Sequence, residues 1–117
     1  KLIHIHGPVT SVKMTDDQKM EFMKAASAMV AKCLSKPESY VAVSVQDEQS
    51  MIWGGEPGPM ALCKVFSLGS INKENNTALT VELTALLAKF DIPPNRMYVN
   101  FFDLPRENVG YNGATFG

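Results

Sequence analysis

Lys36-Pro37-Glu38-Ser39-Tyr40-Val41-Ala42-Val43-Ser44-Val45 reads as a turn that launches a β-strand. Pro37 fixes its own φ and pushes Lys36 away from the helical region. Val41, Val43 and Val45 then alternate with Ala42 and Ser44. A second stretch of the same kind lies further on, where Pro93-Pro94-Asn95-Arg96 precedes the β-rich run Met97-Tyr98-Val99-Asn100-Phe101. Each follows a helical pattern of similar length. The chain reads as one β-α-β unit written twice.

Upstream of the first turn, Thr15 and Gln18 have capping-box spacing, and Asp16 and Asp17 suit the positive end of a helix dipole. Phe22, Met23, Ala26, Val30, Cys33 and Leu34 then recur at helical spacing, with Met20, Met23 and Met29 expected to fill core. Leu2 to His6 alternates as a first strand, expected to stop at Gly7-Pro8. Downstream, the second strand runs from Tyr40 to Val45. Met51-Ile52-Trp53 is a short apolar piece closed by Gly54-Gly55, and Ala61 to Leu68 is a third strand. Asn72 or Asn76 caps a second helix striped by Leu79, Leu83, Leu86, Leu87 and Phe90. A fourth strand spans Met97 to Phe102, and the tail Val109 to Phe116 has the glycines and aromatics of a short hairpin.

The 117 residues suit one domain, 1–117, and 45% hydrophobic with 20% charged residues is an ordinary globular composition. A net charge of −1 gives no drive for counterion release, so neither nucleic acid nor an acidic membrane is an expected partner. No apolar run approaches the roughly 20 residues of a membrane span. Lys-Leu-Ile-His-Ile-His is too short and too polar for a signal peptide. Cys33 and Cys63 read as two buried, reduced thiols. His4 and His6 share one strand face, but two ligands without a third make a poor metal site, so neither metal nor cofactor is expected.

The strands carry apolar or aromatic residues on both alternations: Tyr40 and Ala42 beside Val41 and Val43, Tyr98 and Phe102 beside Val99 and Phe101. Two helices cover only one face of a four-stranded sheet. The other face is therefore expected to pack against another subunit, making a homo-oligomer.

Lys36-Pro37-x-x-Tyr40-Val41, Met51 to Gly55, Ala61-Leu62-Cys63, Ser67-Leu68-Gly69, Arg96 to Asn100 and Asn108 to Phe116 together resemble the macrophage migration inhibitory factor family of the tautomerase superfamily. Each piece is weak alone; in this order and spacing they are specific, and they span essentially the whole chain. The resemblance implies an α+β fold, a tandem β-α-β repeat with two helices on a four-stranded mixed sheet, assembled as a homotrimer. It also implies a keto-enol tautomerase of phenylpyruvate-like or dopachrome-like compounds, or a cytokine-like, immune-modulating protein with a cell-surface receptor. Such proteins are cytoplasmic or secreted without a signal peptide.

By the same resemblance the catalytic base is an N-terminal proline whose amine is poised near working pH. Here that position falls on Lys1. A free α-amine, with an ordinary pKa of about 7.7–8.0, is a weaker replacement. Tautomerase activity is accordingly expected to be absent or low, the alternative being an active enzyme that uses this amine. Lys36 and Leu68 match pocket residues of one subunit, Tyr98 and Asn100 those of its neighbour. Val109, Tyr111 and Phe116 match wall positions. Such a pocket suits a small aromatic keto acid, with Lys36 on its carboxylate and Asn100 as a donor. The family's Cys-x-x-Cys exchange chemistry is not expected, because Met60 stands where the first thiol belongs before Cys63.

Overall fold

The computed structural model describes residues 3–117. Its elements in chain order are β1 (Ile3–Thr10), α1 (Asp16–Cys33), β2 (Val41–Gln46), β3 (Ala61–Ser67), α2 (Lys73–Ala88), β4 (Met97–Asp103), and a small hairpin of β5 (Gly110–Tyr111) and β6 (Ala114–Thr115). The sheet order is β2-β1-β3-β4. β1 runs parallel to β2 and β3 parallel to β4, while β1 and β3 pair antiparallel at the centre. Each parallel pair is one β-α-β crossover, so the duplicated unit expected from the two proline turns is the architecture found.

The helix ends follow their local chemistry. Thr15 and Gln18 form the reciprocal capping box that starts α1. Asn72, not Asn76, caps α2 by accepting from the Asn75 N–H. The helix stripes then seal one face of the sheet. Phe22, Ala26, Val30 and Leu34 meet Leu79, Leu83, Leu86, Leu87 and Phe90 over Ile3, Ile5, Ala61, Cys63 and Val65, all buried.

Four expectations need correction. β1 does not stop at Gly7-Pro8 but continues to Thr10, because a one-residue bulge absorbs the break. Pairing moves from His6↔Lys64 directly to Val9↔Leu62, with Gly7 at φ 101°. The bulge also inverts the strand's parity, so that Ile3 and Ile5 point inward before it and Thr10 after it. Met20 is not core; at 50% exposure it lies two residues, about 200° of helix, from buried Phe22. Met23 and Met29 do pack partly against the core. Tyr40 ends a 3-10 turn, Glu38–Tyr40, instead of opening β2, because the Tyr40 N–H donates back to the Pro37 carbonyl. β3 ends at Ser67, one residue short of Leu68, since Gly69 at φ 75° already turns the chain.

The opposite face of the sheet carries His4, His6, Leu62, Lys64, Phe66, Tyr98, Asn100 and Phe102, and no helix crosses it among the described residues. Leu62, Tyr98 and Phe102 are 40, 59 and 41% exposed. Phe66 stacks on Phe102 at 4.7 Å and packs beside His4 at 5.8 Å.

Candidate binding site

Lys36 is placed by the way α1 ends. Ser35 takes a left-handed φ of 54°, its N–H donates to the Lys32 carbonyl, and the Lys36 N–H donates to the Ala31 carbonyl. These two bonds make a Schellman turn, with serine where glycine is usual, and Pro37 prevents the helix from resuming. The Lys36 side chain, partly buried, then crosses to the end of β3 and donates from Nζ to the Leu68 carbonyl at 2.9 Å.

That carbonyl is itself held. Ser67 Oγ donates to the Gly69 carbonyl at 2.7 Å, the Gly69 N–H donates to Asp103 Oδ1 at 3.0 Å, and the Leu104 N–H donates to the Ser67 carbonyl at 2.8 Å. The turn after β3 is thus pinned to the end of β4. Ile3 pairs with both Ser67 and Val41, so the start of β1 lies between this turn and the start of β2.

The C-terminal tail supplies an aromatic cluster. Asn112 and Gly113, at φ 52° and 85°, make the two-residue turn between β5 and β6, for which Asn-Gly is the preferred pair. The hairpin brings Tyr111 and Phe116 into a stack at 5.6 Å, and Tyr40 meets Tyr111 edge-on at 5.7 Å. The Phe116 N–H donates to the carbonyl of buried Val109, and Arg106 donates twice to the Phe116 carbonyl. Tyr40, four residues beyond Lys36, therefore ties the tail to the lysine-bearing loop.

The protomer does not bring all the sequence-predicted residues together. Lys36 joins Leu68, and Tyr111 joins Phe116 beside Val109. Tyr98 and Asn100 stand instead on the open sheet face, opposite Leu62 and Lys64. Leu62 is six residues from Leu68, about 20 Å along an extended strand. Lys1 lies outside the described residues. Two further residues bear on Tyr98, and neither is among the residues the sequence points to as a site. Trp53 packs against it at 4.5 Å with the rings tilted, and the Arg96 side chain binds three main-chain carbonyls of the loop that carries Trp53. The only sequence signal for either was membership of the quoted motifs.

A shallow cavity of about 530 Å³ lies elsewhere, against α2, lined by Lys73, Asn76, Thr77, Thr80 and Val81. It is a groove along one helix and contains none of the sequence-predicted residues.

The remaining reactive side chains are muted. Burial pushes the Cys63 thiol up to about 12, which leaves no useful thiolate. Cys33 is also raised, by burial and then by Glu82, and both cysteines are free. His4 and His6 lie 4.4 Å apart, and burial followed by the His6 charge holds His4 below its ordinary pKa. No cluster of three metal-ligating side chains exists among the described residues.

Two helices on one face of a duplicated, mixed four-stranded sheet define a tautomerase-superfamily fold. The macrophage migration inhibitory factor homologue from Prochlorococcus marinus superposes with a TM-score of 0.89 at 30% identity, over 100% of both chains. The macrophage migration inhibitory factor from Trichinella spiralis superposes at 0.83 and 34% identity, over 99% of this chain and 100% of that one. In sequence, the macrophage migration inhibitory factor homolog of Brugia malayi is 42% identical over 97 residues, 82% of this chain and 84% of its own. The family model for macrophage migration inhibitory factor (MIF) matches residues 4–117. The chain belongs to the macrophage migration inhibitory factor family.

Proposed function

We propose that the protein is a one-domain, MIF-like cytokine or immune-modulating protein that keeps a tautomerase-type pocket but has little or no tautomerase turnover. The observation that carries the pocket is the division of its parts. Lys36, Leu68, Val109, Tyr111 and Phe116 gather at one end of the protomer, while Tyr98 and Asn100 stand on the open face, about 20 Å and about 13 Å along the strand from Leu68. A neighbouring copy in a homotrimer joins the two sets. The exposed Leu62, Tyr98 and Phe102, with Phe66, supply the apolar surface for that contact.

The ligand of this pocket is a small aromatic keto acid. Lys36 spends one of its three ammonium hydrogens on the Leu68 carbonyl and keeps two for a carboxylate. Tyr111 and Phe116 offer ring faces to the aromatic part. Asn100 of the neighbouring copy donates to an oxygen of the keto acid. The low turnover rests on the resemblance, which puts Lys1 at the position of the family's proline base. The signalling role assigns it a cell-surface receptor, with release to the cell exterior or residence in the cytoplasm. No described helix is long and apolar enough to cross a membrane.

The test is a tautomerisation assay on phenylpyruvate and hydroxyphenylpyruvate, with the mature amino terminus fixed by intact mass. Wild type is expected to turn over slowly or not at all, and Lys1→Pro to gain activity. Robust wild-type turnover would replace this reading with that of an active tautomerase using the N-terminal amine. Lys36→Ala is expected to abolish keto-acid binding; unchanged affinity would remove Lys36 from the site.

A further inference from the structure

The loop between β2 and β3 is held in an unusual way. Arg96, at the end of a 3-10 turn (Pro94–Arg96), reaches back and donates from Nε to the Pro59 carbonyl at 3.0 Å. From Nη2 it donates to the Glu56 and Pro57 carbonyls at 3.0 and 3.1 Å. The guanidinium has no carboxylate partner among the described residues; it is spent on main chain. The Glu56 carbonyl that it grips also accepts the Trp53 N–H at 2.9 Å, and the Glu56 N–H returns a bond to the Trp53 carbonyl at 3.0 Å. Gly54 and Gly55, at φ 58° and 82°, close that narrow turn with the left-handed backbone it needs. Arg96 therefore fixes the residue that fixes Trp53, and Trp53 lies 4.5 Å from the Tyr98 ring with the planes tilted by 30°.

One face of Tyr98 is thus backed by an indole while the ring stays 59% exposed. A solvated tyrosine on an edge strand has no folding need for a guanidinium-braced indole behind it; a ring that must stand at a fixed angle to receive something does. Resting on the proposed inter-subunit pocket, we infer that Arg96 and Trp53 form a clasp that positions Tyr98 as the far wall of that pocket and biases it toward keto acids with an aromatic side chain. Arg96 and Trp53 are positioning residues that act through Tyr98. A planar ligand ring stacks on a held ring with little ordering cost, whereas an aliphatic chain gains far less from the same orientation.

The experiment is calorimetric titration of phenylpyruvate and of an aliphatic 2-oxo acid of similar length into wild type, Trp53→Leu, Trp53→Phe, Arg96→Ala and Arg96→Lys, with trimer mass checked for each. Trp53→Leu is expected to weaken phenylpyruvate binding about five- to tenfold and the aliphatic acid by less than about twofold. Trp53→Phe, which keeps a ring behind Tyr98, is expected to stay within about twofold of wild type. Arg96→Ala should match Trp53→Leu, and Arg96→Lys should fall between, because a lysine makes a point contact where the guanidinium spans three carbonyls.

Trp53 is the sole tryptophan, so its quenching by acrylamide reads the clasp without any ligand. Arg96→Ala is expected to raise it. Unchanged quenching overturns the clasp. Equal losses for both acids, or phenylpyruvate affinity unchanged in Trp53→Leu, overturn the specificity role even if the clasp loosens. If Arg96→Ala does not fold, the loop substitution Trp53→Leu decides alone. Wild type binding neither acid defeats the proposed pocket and this inference with it, a result distinct from binding that ignores Trp53.

Discussion

On the helix side of the sheet, Ile3, Ile5, Ala61, Cys63 and Val65 are sealed beneath α1 and α2, whereas on the other side Leu62, Phe66, Tyr98 and Phe102 lie partly or largely at the surface. The strands are the same and the alternation is the same; only the cover differs. The helix side is completed by α1 and α2 of the same chain, so one chain suffices. The open side has aromatic pairs already in contact, Phe66 stacked on Phe102 and Trp53 tilted against Tyr98, yet no described element to finish them. Folding energy is concentrated on the first face and assembly and binding on the second, and substitutions on the two should fail in different ways.

The sharpest contrast comes from Phe22, which is fully buried and meets Phe90 edge-on at 6.2 Å. Phe22→Ala should cost about 3–5 kcal/mol in denaturant unfolding, through lost burial and the cavity left behind. A loss below about 1 kcal/mol would mean that the helix layer is not the core. Next in size is Thr10, buried after the bulge. Its hydroxyl donates to the Met60 carbonyl at 2.7 Å and accepts from the Val12 N–H at 3.2 Å. Thr10→Val keeps the shape and strands both partners, an expected loss of about 1–3 kcal/mol. The same substitution at an outward position would be nearly neutral, so the measurement also checks that the bulge reverses the strand's parity.

Phe66 tests the open face. Phe66→Ser should change the stability of an isolated protomer by no more than about 1 kcal/mol, since the ring is only partly covered. It should nevertheless lower the mass seen by light scattering at micromolar concentration toward that of a monomer. A variant that keeps the wild-type mass would show that this face is merely solvated. A wild type that is itself monomeric would overturn the trimer.

Much of this contrast was legible in the residues. Both proline turns, the Thr15–Gln18 box, the leucine stripe of α2 and the Asn-Gly hairpin are local signals, and local physics decided them. Apolar residues on both alternations pointed to a sheet with one face unfinished. What escaped was of two kinds. Gly7-Pro8 carries a strong break signal, and only the flanking strands β2 and β3, remote in sequence, convert it into a bulge. The bonds from Lys36 to the Leu68 carbonyl and from Arg96 to Glu56, Pro57 and Pro59 end on main chain, which has no residue identity to read. Met20 failed for a simpler cause: methionine is apolar enough to be counted with a stripe from which its angle excludes it.

The smallest expected effect separates the faces by pH. His4 sits on the open side opposite Phe66 and Ala42, beside His6, which is itself opposite Lys64 and Ser44. Asn100 and Phe102 on β4 complete that surface, so no carboxylate on these strands faces the pair. Burial first, then the His6 charge, hold His4 below its ordinary 6.5, and the folded protomer therefore prefers it neutral. The unfolded chain binds that proton more readily. The associated stability is present in full above about pH 6.5 and is lost as pH falls through the lower, folded value. For this half-buried ring the loss is small, because solvent screens part of it. His4→Gln should flatten the slope of stability between about pH 7.5 and pH 5. Asp47, lowered chiefly by the Met14 N–H, acts in the same direction only below about 3.8. Covering the open face with a second copy buries His4 further and adds cations of like sign, so the slope should steepen with protein concentration across the assembly range. A slope independent of concentration would place the histidines outside the contact.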